Sequence, residues 1–346
     1  MLQKDLKKIC EVFASIIKNN PIRPITDLVE IFTKDGVIYF GSTDNITIIK
    51  AKEEDTKSNI DRAVISLSRL QKLVKLTTVE EVILTQKDNY VEFKGNGKYK
   101  LPIQVDESGG SIILPLVYPA VECERGIKIE DVQKAYNRSK IAITSDYNEL
   151  NVIYITEDSI VATNSIVVAK TKMEGKLGLE MIKPYALQQL SSLPADMKVG
   201  LKGNNICAIS DKFLVYIQNY PEQFPIDGVK PFLVSPSANE MYKTRFKVSK
   251  KVLIDAIKRQ DLFKGLFDVP VVSLAAGEKL TISNNQQTSY EEIDIEKTSP
   301  CKIEVVTERL LGILKNMQDE IEIFLNSSSM GLEDEYGHYI LAARGK

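Results

Sequence analysis

One pattern recurs three times along the chain, and it limits the possible folds more than any single motif does. Apolar residues at Leu6, Ile9, Cys10, Phe13, Ile16 and Ile17 follow the i, i+3, i+4, i+7 spacing of an amphipathic helix. The spacing returns from Ile129 through Val132, Ala135 and Tyr136. It returns again from Val248 through Val252, Leu253, Ala256 and Ile257, with Ser249 placed as an N-cap. These starts lie about 120 residues apart. Each is followed by alternating runs of β type and then by a second helix, expected at Ile60 to Val74, Pro184 to Leu193 and Thr307 to Met317. Pro184 suits a first helical turn, where its missing N–H costs nothing. A strand–turn–strand unit then closes each copy, at 80–103, 197–218 and 320–343, with Lys-Asp-Asn, Gly-Asn-Gly and Ser-Asp-Lys as turn chemistry. Three matches in one order predict a triplicated α+β domain. Gln104 to Gly126 and Tyr220 to Lys243, rich in Pro and Gly, read as linkers, which divides the chain at 1–121, 122–242 and 243–346.

Composition closes off several alternatives. The chain has 346 residues, 43% of them hydrophobic, enough for packed cores and too many for a disordered chain. Its longest apolar stretch, Ser111 to Val121, is broken by Pro115 and Pro119 and is too short to span a bilayer. No apolar segment with a cleavage site follows the N-terminal MLQKDLKKIC, so a soluble cytoplasmic protein is expected. Cys10, Cys123, Cys207 and Cys301 are scattered without a CxxC pair, and His338 is the single histidine. A Cys/His zinc site is thereby disfavoured, as is a disulfide scaffold. His338 lies in the polar run EDEYGHY and reads as an exposed turn residue, and Glu333-Asp334-Glu335 beside it as solvated surface. No phosphate-binding glycine motif is present, so nothing points to an enzyme, a cofactor or a metal.

The near-neutral total, 45 basic against 47 acidic residues, hides an arrangement. Cations gather on the expected helices: Lys4, Lys8 and Lys18 on the first, Arg62, Arg69, Lys72 and Lys75 on the second, and Lys134 and Arg138 on the third. Lys247, Lys251 and Lys258 follow on a later helix and Arg309 on the last. Pro184 to Leu193 is the exception, with Gln188, Gln189, Ser191 and Ser192 as its polar residues. Acidic clusters fall in loops and at strand ends. Basic helices brought to one side make a surface that holds phosphates without reading bases. Without interleaved aromatics for stacking, double-stranded DNA bound independently of sequence is the expected polyanion.

A triplicated α+β domain with basic helices resembles the bacterial DNA polymerase III beta subunit, the sliding clamp. VATNSIVVAK at 161–170 looks like that family's strand with a Val-Ala-Thr-Asp-Gly-His-Arg-Leu-Ala pattern. KVGLKGNNICAISDKFLVYIQNYPEQFPID at 198–227 resembles the family's run to a Phe-Pro-Asp corner. KLTISNNQQTSYEEIDIE at 279–296 and IEVVTERLLGILKNM at 303–317 follow the same family. The resemblance implies three clamp domains per chain, helices lining an inner face and antiparallel sheets outside. Two chains would then close a six-domain ring around duplex DNA. Such a ring has no chemistry of its own, and its partners would be a replicative polymerase and a clamp loader.

By the same resemblance the ring interface would use Tyr99 and Leu101 against Leu262 and Phe263. Gln260-Asp261-Leu262-Phe263 mimics the motif by which partners dock on clamps, but on an interface helix it reads as structure. A partner-peptide pocket would draw on Leu150, Thr163, Ser165, Val168, Pro225, Val229, Phe267, Val306, Ile340 and Leu341, and would take a Gln-x-x-Leu-Phe-type peptide. The chain departs from the family there. Ser165-Ile166-Val167-Val168 replaces Gly-His-Arg-Leu, and Ala342-Ala343-Arg344-Gly345-Lys346 replaces the Met-rich tail. An altered partner motif and a divergent or phage-type clamp are therefore expected. Two alternatives share these residues: a clamp-fold interaction protein that never closes a ring, and a metal-dependent nuclease.

Overall fold

The computed structural model describes residues 1–117, 127–143, 150–173, 181–202, 205–219, 224–263, 269–284 and 286–344. The architecture is α+β. Among the described residues the helices are α1 (Gln3–Ile16), α2 (Leu67–Leu76), α3 (Ile129–Ser139), α4 (Pro184–Ser191), the single turn α5 (Ile226–Val229), α6 (Lys250–Asp261) and α7 (Thr307–Leu314). The chain gathers into two compact units, Met1–Gln133 with Tyr185–Tyr220, and Lys134–Pro184 with Pro221–Lys346.

The first unit is built on an eight-stranded antiparallel sheet. Its order is Ala63–Ser66, Leu28–Lys34, Val37–Thr43, Thr47–Glu54, Phe213–Gln218, Asn205–Ile209, Lys198–Lys202 and Ile127–Lys128. The sheet joins sequence from the first repeat to sequence from the second where Thr47–Glu54 pairs Phe213–Gln218, with Ile49 opposite Val215. Helix α1 buries the predicted stripe, Leu6, Ile9, Cys10, Phe13 and Ile16, and packs beside α2. A three-stranded sheet, Ile83–Gln86, Tyr90–Lys94 and Lys98–Pro102, completes this unit. The segment expected as a helix from Ile60 is different. Ala63–Ser66 is a strand with all four residues buried, and α2 begins only at Leu67. Its β-branched Val64 and Ile65 pair with the strand Leu28–Lys34, which outweighs their helical spacing. Ser66 then caps α2, accepting from the Arg69 N–H at 3.2 Å.

The second unit repeats the plan. Its eight-stranded sheet runs Met181–Ile182, Ile153–Ile155, Ser159–Thr163, Val167–Lys172, Gly337–Ala342, Ser329–Asp334, Glu320–Leu325 and Thr244–Ser249. Here the join is between Val167–Lys172 and Gly337–Ala342. A four-stranded sheet holds Tyr290–Asp294, Lys279–Asn284, Val271–Ala276 and Cys301–Val306, and α6 packs beside α7. The units expected as strand–turn–strand are each three-stranded meanders, since a second tight turn follows the first. Of the expected linker from Tyr220 to Lys243, the described part lies packed, with Phe224, Val229 and Tyr242 buried. The Tyr242 hydroxyl lies 3.0 Å from Ser329 Oγ.

Candidate partner-peptide pocket and basic helical surface

Strand register decides which side chains of the second unit share a face. Thr163 sits opposite Val168, Val168 opposite Ile340, and Val161 sits opposite both Tyr154 and Lys170. Side chains alternate along a strand, so these residues line one face, while Val167 and Leu341 line the other. Segment 224–243 crosses the first face as a strap, carrying α5 and the short turns Lys230–Phe232 and Pro236–Ala238. Val152, Val161, Val168 and Ile340 below it and Phe224 and Val229 of the strap itself form one buried cluster. Part-buried Tyr154, Met181, Ile226, Phe232 and Leu233 border that cluster. The Tyr154 and Phe224 rings stack with centroids 5.5 Å apart and planes 15° from parallel. The result is an apolar patch with a half-buried aromatic border, chemistry suited to apolar side chains of a peptide.

Sequence reasoning reached part of this set. Val168, Val229 and Ile340 lie within the cluster. Thr163 is buried on the same face, and half-buried Pro225 directly precedes α5. Ser165 is exposed at a turn with φ 68°, and Leu150 and Val306 are half-buried outside the cluster. Leu341 does not join it. Fully buried opposite Val167, it points away because one step in register changes the face. Phe267 lies outside the described residues. Val152, Tyr154, Val161, Met181 and the strap aromatics Phe224 and Phe232 were missed.

The basic helices hold most of their expected cations free of burial. Lys4, Lys8 and Lys18 are exposed in and just after α1, Arg69 and Lys72 and Lys75 on α2, Lys134 on α3, and Lys251 and Lys258 on α6. Arg309 is half-buried on α7. Three expectations need correction. Arg138 is 5% exposed, and its guanidinium grips Asp334 through two bonds of 2.9 and 2.8 Å while donating to the Asn316 carbonyl at 2.9 Å. That bidentate pairing removes it from any DNA-facing set. Arg62 precedes α2 in a loop and pairs with Glu30 at 2.7 Å. Lys247 is exposed on the strand Thr244–Ser249, opposite Glu322, because alternation and not helical spacing governs that stretch. The polar exception, α4, has a structural use. Gln189 accepts from Thr47 Oγ1 at 2.8 Å and donates to the Ile16 carbonyl at the end of α1.

His338 is also corrected. It is 4% exposed on the strand Gly337–Ala342, and burial pushes its pKa below the ordinary 6.5. Glu333 and Asp334 beside it are held by partners and not simply solvated. Among the described residues, no group of three or more His, Cys, Asp or Glu side chains is placed to hold a metal ion. No described helix is long and apolar enough to cross a membrane. At the expected interface, Leu262 and Phe263 are 80% and 55% exposed just beyond α6, and Tyr99 is 42% exposed. Leu101 is already buried within the chain. Gln260 of the decoy motif is 3% exposed and bonded to Ser289 and Glu291.

No protein-family model matches this chain, and no curated protein matches it by sequence. Solved structures do. The DNA polymerase III beta subunit of Thermotoga maritima superposes with a TM-score of 0.82 at 16% identity, covering 100% of this chain and 98% of that one. The DNA polymerase sliding clamp of Caulobacter crescentus gives 0.80 at 14% identity, with 100% and 99% covered. A sliding clamp from Bartonella birtlesii, solved with griselimycin bound, gives 0.81 at 17% identity over 100% and 99%. At such low identity it is the path of the chain that is shared, and from end to end this protein has the fold of the DNA polymerase III beta sliding clamps.

Proposed function

We propose that this chain is a divergent DNA sliding clamp. Two copies would join head to tail into a ring around duplex DNA, tethering a replicative polymerase without any catalysis. The observation that carries the reading is the clamp fold over the whole length of the chain. The exposed lysines and arginines of α1, α2 and α6 support it, because they would hold phosphates loosely and in any sequence. The three domains at 1–121, 122–242 and 243–346 belong to the same proposal.

Two open sheet edges support the dimer. Lys98–Pro102 ends the three-stranded sheet and Tyr290–Asp294 ends the four-stranded one. An edge strand offers unpaired N–H and C=O groups to another strand. On the first edge Tyr99 and Leu101 share one side and Lys98 and Lys100 the other. On the second, Tyr290, Glu292 and Asp294 share one side, and Glu291 and Ile293 the other. Edge pairing between two copies would bring Lys98 and Lys100 to a carboxylate-bearing strand, with Leu262 and Phe263 covered beside the seam.

The part-buried border of the apolar cluster, Tyr154, Met181, Ile226, Phe232 and Leu233, is the proposed dock for partner peptides of the Gln-x-x-Leu-Phe type. Its Tyr154–Phe224 stack and Met181 supply an adaptable apolar wall. The deciding experiment loads the protein, with a clamp loader, on nicked circular duplex DNA and on the same DNA linearised. Retention on the circle and loss from free linear ends is the expected result. Equal retention on both would mean ordinary binding and no ring.

A further inference from the structure

We propose that Lys170, His338 and Glu333 form a latch that holds strap residues 232–237 to the sheet and so positions the wall of the peptide patch. The three would be positioning residues that need not touch a peptide. The inference rests on the peptide-dock reading above.

Register sets the three in a row. Lys170 lies opposite His338 and His338 opposite Glu333, on adjacent strands and on the face that the strap covers. Each meets a different group of the strap. Lys170 Nζ donates to the Leu233 carbonyl at 3.2 Å. His338 Nε2 lies 3.0 Å from the Phe232 carbonyl, which can only accept, so that nitrogen carries the proton. Glu333 accepts from the Ser235 hydroxyl, from the Ser237 N–H at 3.1 Å and from the Ser237 hydroxyl at 3.2 Å. Donors of the sheet thus face acceptors of the strap, and the order reverses where the strap turns from carbonyls to hydroxyls and an N–H. The Phe232 and Leu233 carbonyls and the Ser235 hydroxyl are part-buried, so losing these partners would leave them poorly satisfied, whereas the exposed Ser237 groups would turn to water.

Close approach is built in as well. A Cβ at Gly331 would stand 2.7 Å from Pro236 Cβ, so the strand bears glycine where the strap crosses. The latched segment adjoins the patch directly. Phe232 and Leu233 border the apolar cluster, and Val229 lies inside it. Release of 232–237 would therefore free the same wall that a peptide would press against.

The latch contains a titrating group. Glu333 on one neighbouring strand favours the protonated imidazole, Lys170 and Lys172 on the other oppose it, and the strap presents the Phe232 carbonyl. Burial is the largest influence and lowers the His338 pKa. The latched state then binds fewer protons than a released one at mildly acid pH. Latching is complete above about pH 6.5, the ordinary histidine value, and weakens as pH falls below it.

The test uses the full-length protein and a fluorescein-labelled peptide, Gln-Ala-Asp-Leu-Phe, read by anisotropy at pH 7.5 and 5.5. Backbone hydrogen exchange of 232–237 is followed in parallel. Glu333→Ala is expected to speed that exchange and to weaken peptide binding at least fivefold, with the mass in solution unchanged. Glu333→Gln, which keeps an acceptor, should restore most of both. His338→Gln, which keeps a donor but does not titrate, should bind equally well at pH 7.5 and 5.5, losing the acid weakening. Unchanged exchange in Glu333→Ala would overturn the latch. Faster exchange with unchanged affinity would overturn its positioning role. Failure of the parent protein to bind the peptide would sink the dock reading and the positioning role together, while exchange would still decide whether the row holds the strap.

Discussion

Lys134 and Arg138 stand one helical turn apart on α3, yet only one of them stays in solvent. Lys134 is exposed with its ammonium 5.8 Å from the Tyr336 ring centroid, whereas Arg138 is buried against Asp334, whose side chain is 1% exposed. Spacing could not separate them, because the deciding carboxylate is contributed by a strand nearly two hundred residues later. Removing one partner of such a pair strands the other as a buried charge. Arg138→Ala is therefore expected to cost about 3–5 kcal/mol in urea denaturation, and Lys134→Ala about 0.5 kcal/mol or less. Cys10 offers a second check. Burial pushes its thiol up to about 12, so it should resist a thiol reagent at pH 8 until the protein unfolds. Half-buried Cys301 should react earlier.

Helices were the most legible elements. Stripes such as Leu6, Ile9, Cys10 and Phe13 announce a buried face whatever lies beneath it. The error at Ile60 to Val74 shows the limit, since Ala63 to Ser66 fits either period and only the neighbouring strand selects one. The strap was illegible for a different reason. Its prolines read as a linker, and nothing local reveals that Lys170, His338 and Glu333 await it on other strands. The apolar patch was half legible because the resemblance supplied Val168, Val229 and Ile340, while register alone excluded Leu341. For the basic elements, Lys4, Lys8, Arg69 and Lys72 on α1 and α2 are the residues to reverse in charge. Each phosphate thereby left without its cation should flatten the plot of log affinity against log salt by about 0.9, with the circular dichroism spectrum unchanged. An unaltered slope would remove these helices from the DNA surface.

At the scale of the whole molecule, the proposed ring predicts a mass. Light scattering across a dilution series should give about twice the chain mass of 38.8 kDa. The double variant Leu262→Glu and Phe263→Glu should shift the protein to monomer, since both side chains are exposed and their loss strains no core. A dimer that survives those charges would need another interface.

The two eight-stranded sheets carry a further consequence for anyone dissecting this protein. Strand Phe213–Gln218 leans on a strand from the first repeat, and strand Val167–Lys172 on one from the third. Excising 122–242 would leave both strands with bare ladders, two adhesive margins on a fragment of modest core. That fragment should precipitate or self-associate on expression, whereas a cut respecting the sheets would have to splice Met1–Gln133 to Tyr185–Tyr220. What can be duplicated along the sequence is thus not what can be cut out of the fold.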